Sequence, residues 1–284
     1  MVDVLSDMFN SEGYKKAISQ ELTIIDKHKV EVAFMPNRSQ SDLLDQMALH
    51  DEIVILKARK MGFSSVVLAI GVLKFLLGRN ERCVSMSFDA EASGKQLERA
   101  KHFIKSFELR NGVKIPFKYN SKKEMVYESI DPITQRPFVN TLRIGTAKSS
   151  SFGRGDDISF LHVTETAFCD DMDALLSGVG EACLPGAHKI FETTANGYNN
   201  FKIFWDRAVL GENGYKALFY DPTWEYSKEY IEKKRMNLGR IGVQEYPMTA
   251  EEAFLTSGDC YFDVMVLKML LESCKEPILD PQVV

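Results

Sequence analysis

The chain has 284 residues, 45% of them apolar and 26% charged, with a formal net charge of -5. That length and apolar content suit one large domain, or a domain with a smaller partner, and exclude a disordered chain. The negative balance excludes a bulk electrostatic grip on nucleic acid while leaving room for a local basic groove, and five scattered cysteines without a Cys-x-x-Cys pair exclude a disulfide framework or zinc site.

From the N-terminus, charged residues such as Asp3, Asp7 and Lys15 interrupt any apolar run, so no signal peptide is expected. Ala17, Ile18, Leu22 and Ile25 have helical spacing over residues 14–26, and a short extended piece at 30–35 ends at Pro36. Ser41 and Asp42 ahead of Leu43, Leu44 and Met47 predict a capped helix, which leads into an apolar strand at 53–56. After the polar loop KARKMGFSS (57–65), a helix buried on most faces is predicted for 65–77. Its apolar stretch is the longest in the chain, carries Lys74 and is too short to span a bilayer, so a soluble protein is expected. A strand follows at 82–88 and an amphipathic helix at 91–107; strand candidates at 118–130 and 141–144, around two proline turns, suggest a local antiparallel insertion. An apolar strand at 158–163 runs into Thr164 and Glu165, another beginning near Lys189 runs into Thr193, Thr194, Ala195 and Asn196, and a helix follows at 200–209. Strands alternating with helices define an α/β fold with a mainly parallel central sheet flanked by helices. From about Gly211 aromatic and charged segments at 216–224, 228–237 and 245–255 read as a small lid.

Three polar stretches at strand ends carry the chemistry. The first has the strand, loop, helix layout of a phosphate cradle. Gly62, Phe63 and Ser64 occupy the last three positions of G-x-x-x-x-G-K-[ST], with Lys57 where the first glycine stands and Phe63 where the lysine stands. Phosphate charge then falls to Arg59 or Lys60, with Arg59 preferred for its planar fork, while the Ser64 hydroxyl suits Mg²⁺ and backbone N–H groups around Met61, Gly62 and Ser65 face the phosphates. An ordinary strand-to-helix turn with a solvated basic cluster has the same composition. In the second, Glu165 could polarise a water for attack on a γ-phosphate; standard versions place an aspartate directly before it, where Thr164 stands here, and a structural strand-end glutamate is the plainer reading. In the third, Asn196 with Thr193 and Thr194 could sense the γ-phosphate or form a capped turn. Upstream, the Gln40 carboxamide could read adenine N6 and N7 or be a surface residue. Arg154, on the glycine-flanked loop 151–156, could stabilise transition-state charge from its own or a neighbouring subunit, or be solvated. The five histidines lack metal spacing, and His162 reads as a core residue.

Taken together, FMPNRSQ (34–40), LKARKMGFSS (56–65), FGRG (152–155), HVTETAF (162–168), ETTANG (192–197) and QEYPMTAEEAF (244–254) resemble the ATPase half of tailed-phage terminase large subunits over roughly residues 30–262. The resemblance implies a P-loop NTPase with an added catalytic glutamate, ATP and Mg²⁺ as cofactors, and translocation of double-stranded viral DNA through a portal into a procapsid. It implies Gln40 in the adenine-reading motif, Lys57 to Ser65 in an altered Walker A loop, Glu165 as catalytic carboxylate, Thr193 to Gly197 as coupling motif and Arg154 acting across subunits. Implied partners are double-stranded DNA, the portal protein, the terminase small subunit and further copies in a ring, in the host cytoplasm and with no membrane. The expected organisation is a P-loop domain over 1–262, with a core at about 30–210 and a lid at 211–262, and a linker at 263–284 towards an RNase H-like nuclease, whose activity is not expected here. A helicase-type DNA-dependent ATPase and a non-catalytic nucleotide-binding adaptor are the competing readings.

Overall fold

The computed structural model describes residues 10–147 and 157–255, with five positions between 266 and 274. Helix α1 (Ser11–Glu21) leads into an isolated antiparallel pair, β1 (Thr23–Ile25) and β2 (Glu31–Ala33). The predicted first helix therefore stops earlier, because Leu22 is already extended and Thr23 pairs with Ala33. Helix α2 (Arg38–Met47) begins before Ser41: Asn37 is its cap, completed by Gln40 in a capping box.

The remaining strands are β3 (Glu52–Lys57), β4 (Arg82–Ser87), β5 (Phe117–Asn120), β6 (Glu124–Ile130), β7 (Pro137–Thr146), β8 (Ile158–Thr164), β9 (Cys183–Thr193) and β10 (Lys216–Tyr220). They form one eight-stranded sheet in the order β10-β3-β9-β8-β4-β7-β6-β5. The pairs from β10 through β7 are parallel, and β6 and β5 extend that edge antiparallel, as the insertion was expected to do. The parallel strands all end on one side, and β9 lies between β3 and β8, so the tips of the three polar stretches become neighbours.

Both faces of the sheet are covered. Ile53 and Ile55 of β3 join one core with α1, α2, α3 (Phe63–Leu77) and α4 (Ala90–Asn111), whereas Val54 and Leu56 point the other way. That second core contains α5 (Met172–Leu175), α6 (Asn200–Val209), Trp205 and Phe254. Strands buried on both faces read as unbroken apolar runs, which is why β3 and β8 stood out in the sequence. Helix α3 is apolar nearly all round, and Gly71 lets it approach β8 closely: a Cβ there would lie 3.0 Å from the Phe160 ring.

The C-terminal part departs from expectation. Residues 216–220, assigned to the lid by sequence, are β10, an edge strand of the main sheet parallel to β3. Tyr220 explains the placement: its ring packs 4.6 Å from Phe63 and its hydroxyl donates to Asp42 Oδ2 at 2.7 Å. Beyond it, α7 (Lys228–Leu238), α8 (Arg240–Glu245) and α9 (Ala250–Leu255) form a helical cap. Among the described residues no helix is long and apolar enough to cross a membrane.

Candidate nucleotide site

At the carboxyl ends of the parallel strands lies a cleft of about 610 Å³. Its floor is the loop from β3 to α3, where Lys60 (φ 61°) and Gly62 (φ 81°) have left-handed backbones. Gly62 is required twice over, because a Cβ there would be strained and would sit 2.5 Å from Gln40 Nε2. The Gln40 carboxamide is a brace beneath the loop: Nε2 donates to the Gly62 carbonyl at 2.9 Å, and Oε1 accepts from the Asn37 N–H at 3.0 Å. Gln40 is buried and is not part of the cleft lining. Met61 and Phe63 are also buried, so the side chain standing where a phosphate-binding lysine is usual instead anchors the loop in the core. Ser64 and Ser65, in the first turn of α3, face the cleft at a helix N-terminus of the kind that suits an anion, with the Ser65 N–H donating to the Gly62 carbonyl at 3.1 Å.

A buried lysine reaches the cleft from the strand end. Lys57, at the end of β3, is almost fully buried and reaches the cleft wall, with Nζ 3.2 Å from Glu192 Oε2 and 3.7 Å from Glu165 Oε1. Burial works against its charge, but Glu192 and then Glu165 outweigh it and hold the ammonium above its usual range. Glu165 follows β8 in a left-handed conformation (φ 54°, ψ 43°) that turns its carboxylate into the cleft. Burial raises its carboxyl, Lys57 opposes the rise and Glu192 adds to it, and the net direction is upward. A carboxylate raised in this way is a better proton acceptor than one on the surface.

Glu192 is wholly buried. Burial alone would raise its carboxyl, but Lys57 first, then His162 and Ser64, hold it well below the usual carboxylate range. Ser64 Oγ donates to Glu192 Oε1 at 2.6 Å and lies 3.1 Å from Thr164 Oγ1. His162, expected as an ordinary core residue, is buried but belongs to this network: Nε2 is 3.5 Å from Glu192 Oε1 and Nδ1 is 3.0 Å from Ser85 Oγ, which donates to Gln96 Oε1 of α4 at 2.9 Å.

Cations occupy the rim. Arg59 and Lys60 come from the loop, and Lys95 and Arg99 from α4. Arg59 pairs with Glu245 Oε1 at 3.0 Å, and Lys95 with Glu91 at 2.5 Å. Half-buried Arg99 makes no ion pair or hydrogen bond among the described residues, and burial lowers the pKa of its guanidinium. The loop is also held through its main chain: the Arg59 N–H donates to the Glu245 carbonyl of the cap at 2.9 Å, and the Tyr226 hydroxyl, ahead of the cap, donates to the Lys60 carbonyl at 2.8 Å.

Of the third polar stretch, Thr194 lines the cleft. Thr193 is buried and accepts the Ala167 N–H at 3.2 Å, while Asn196 is exposed and donates to the Ala167 carbonyl at 3.2 Å. Asn196 is therefore tied to the turn that follows Glu165 and does not line the cleft. Gln244 of the cap donates to the Ala195 carbonyl at 2.8 Å, so this strand tip bridges the glutamate turn and the cap. Arg154 lies outside the described residues. Sequence reasoning did not single out Glu192, Arg99 or Glu245; the available signal for Glu192 was a carboxylate directly following the apolar pair Ile190 and Phe191.

A strand-loop-helix cradle, a glutamate two strands away and a strand inserted between them define a P-loop NTPase fold. The fold is that of the ATPase domains of phage large terminases. The HK97 bacteriophage large terminase superposes with a TM-score of 0.56 at 15% identity, covering 87% of this chain and 50% of that one. The Thermus phage P74-26 large terminase ATPase domain gives 0.53 at 13% identity, covering 69% of this chain and 87% of that one. An arginine-to-alanine mutant of the same Thermus phage domain gives 0.55 at 12%, covering 74% and 97%. This chain thus spans half the length of the HK97 protein. No protein-family model matches the sequence, and a search of curated proteins finds no match.

Proposed function

We propose that this chain is the ATPase motor domain of a phage terminase large subunit, hydrolysing ATP with Mg²⁺ to drive double-stranded DNA into a procapsid. The observation that carries this reading is the convergence of Ser64, Lys57, Glu165 and Thr194 on one cleft rimmed by cations. Arg59, Lys60 and Arg99 would hold phosphate oxygens, with the first-turn N–H groups of α3 beneath them. Glu165 would accept the proton of the attacking water. Gln40 would act through the loop, keeping the Gly62 peptide in place. Ser64 lines the cleft with Thr164 and Glu192 buried directly behind it within hydrogen-bond distance, an oxygen-rich corner that suits a hard divalent cation, and Ser64 would hold Mg²⁺. When bound, Mg²⁺ supplies charge neutralisation on the phosphates.

The motor reading extends to the sequence assignments. The P-loop unit would span 1–262 and a linker 263–284. Arg154 would complete the site of a neighbouring copy in a ring on the portal protein, with the small subunit as a further partner, in the host cytoplasm. Thr193, Thr194 and Asn196 would couple the Glu165 turn to the cap through Ala167 and Gln244. The test is phosphate release with and without double-stranded DNA and portal, for the natural sequence and Glu165→Gln. Turnover should vanish in the variant while ATP binding persists. Equal turnover in both would remove Glu165 from the chemistry, and binding without turnover in the natural sequence would favour the adaptor reading.

A further inference from the structure

In P-loop NTPases the metal is held by the loop hydroxyl and by an acidic residue on the strand that precedes the catalytic group. Here that strand position is Thr164, which brings no charge. A carboxylate nevertheless stands beside it. Glu192 is the register partner of Thr164 on the neighbouring strand β9, is fully buried, and accepts from Ser64, the loop hydroxyl itself, at 2.6 Å. Thr164 Oγ1 lies 3.1 Å from the same Ser64 oxygen. The second Glu192 oxygen faces the Lys57 ammonium at 3.2 Å without an aligned hydrogen bond.

A counter-ion for Lys57 would account for only part of this arrangement. Glu165 already faces that ammonium, so beside Ser64 carboxylates outnumber ammonium groups two to one, with the His162 ring 3.5 Å from Glu192 as a further neighbour. Such a surplus is unfavourable for the phosphates and favourable for a divalent cation between them and the strand tips. Apart from Lys57, the cations of the cleft lie on the loop and α4, so they gather on the rim while Glu192 stands behind Ser64.

We propose that Glu192 replaces the acidic residue missing at position 164. The carboxylate for the metal of the nucleotide complex has moved by one strand, and with Ser64 it holds Mg²⁺ directly or through a metal-bound water. This rests on the nucleotide reading of the cleft. The experiment uses the whole chain with ATPγS, titrated by calorimetry in Mg²⁺ and in EDTA, and with Mn²⁺ followed by electron paramagnetic resonance. Glu192→Gln should weaken Mn²⁺ binding to the nucleotide complex by about ten-fold or more, while ATPγS affinity in EDTA stays within about two-fold of the natural sequence, a change worth under half a kcal/mol. Adding Thr164→Asp to Glu192→Gln should restore Mn²⁺ binding. If Glu192→Gln does not fold, Glu192→Asp, which keeps the charge, should retain measurable Mn²⁺ binding with a changed spectrum.

Unchanged Mn²⁺ affinity in Glu192→Gln, or in Glu192→Asp an unchanged spectrum, overturns the assignment and leaves the nucleotide reading standing. An equal loss in EDTA and in Mg²⁺ also overturns it, because it marks Glu192 as a positioning partner of Lys57 alone. A natural-sequence protein that binds no ATPγS under either condition overturns both.

Discussion

Glu165 leaves β8 with φ 54° and ψ 43°, a left-handed conformation that costs a residue bearing a side chain roughly 1–3 kcal/mol. Its carboxyl is also raised by burial and by the neighbouring Glu192 charge, so the folded chain bears two costs at one position. A structural residue at a strand end has no reason to keep either. Glycine at 165 relieves the backbone cost, whereas alanine removes only the carboxyl. Glu165→Gly should therefore be more stable than Glu165→Ala by on the order of 1 kcal/mol, with both inactive, as read by thermal melts and phosphate release. A glycine variant no more stable than the alanine variant would refute the strain at this residue.

Two elements hold their shape through single carboxylates. The turn between β6 and β7 is tied by Asp131, whose Oδ1 accepts the Thr134 and Ile133 N–H groups at 2.8 and 2.9 Å while Oδ2 takes Arg79 Nε at 2.8 Å. The Thr134 N–H first, then Arg79, pull its carboxyl down from 3.8 to about 2 against burial. A depressed folded value means that the stabilisation is complete above the ordinary value and is lost as pH falls through about 2. The stability gap between the natural sequence and Asp131→Asn, from denaturant titrations, should narrow from pH 4 towards pH 2; a constant gap would contradict the linkage. The cap clamps the loop from β3 to α3 through Glu245, which on the proposed reading would compete with phosphate for exposed Arg59. With Arg59 exposed, the pair is worth about 1 kcal/mol, so Glu245→Gln should tighten ADP binding by up to about five-fold, and weaker binding would show that the clamp shapes the loop. Elements buried on both faces, such as β3, α3 and β8, were legible because their apolar runs need no partner to interpret. Glu192 was not legible as a site residue, since its meaning comes from lying on β9 directly beside Thr164 of β8, and cross-strand register is not written in either strand alone. Arg99 was hidden similarly, on a long helix whose cleft-facing side only the packing of α4 defines.

At the scale of the whole molecule, the boundary between sheet and cap decides what can fold alone. The composition change near Gly211 suggests a cut there, but β10 lies beyond it and covers β3, the strand that runs into the loop at the floor of the cleft. The run from β10 to Tyr226 is bound to the core at many points. The Ala58 N–H reaches the Tyr220 carbonyl at 3.0 Å, Arg38 stacks 4.6 Å over Trp224, and Glu225 Oε1 accepts from the Ser39 hydroxyl at 2.7 Å. Removing this run would expose one side of β3 and uncover Phe63, each such apolar side chain being worth roughly 1.5–3 kcal/mol of burial, against a total stability of only about 5–15 kcal/mol. The cap helices α7 to α9 make a smaller contribution to the core, chiefly Ala253 and Phe254 against Phe201. A chain ending at residue 210 should therefore show no cooperative thermal transition, while one ending at residue 227 should melt cooperatively at a lower temperature than the full chain and bind ADP with Arg59 released from Glu245. Calorimetry of the two truncated chains distinguishes the boundaries: a cooperative transition in the shorter one would return β10 to the cap and separate the sheet from the strand that here closes its edge.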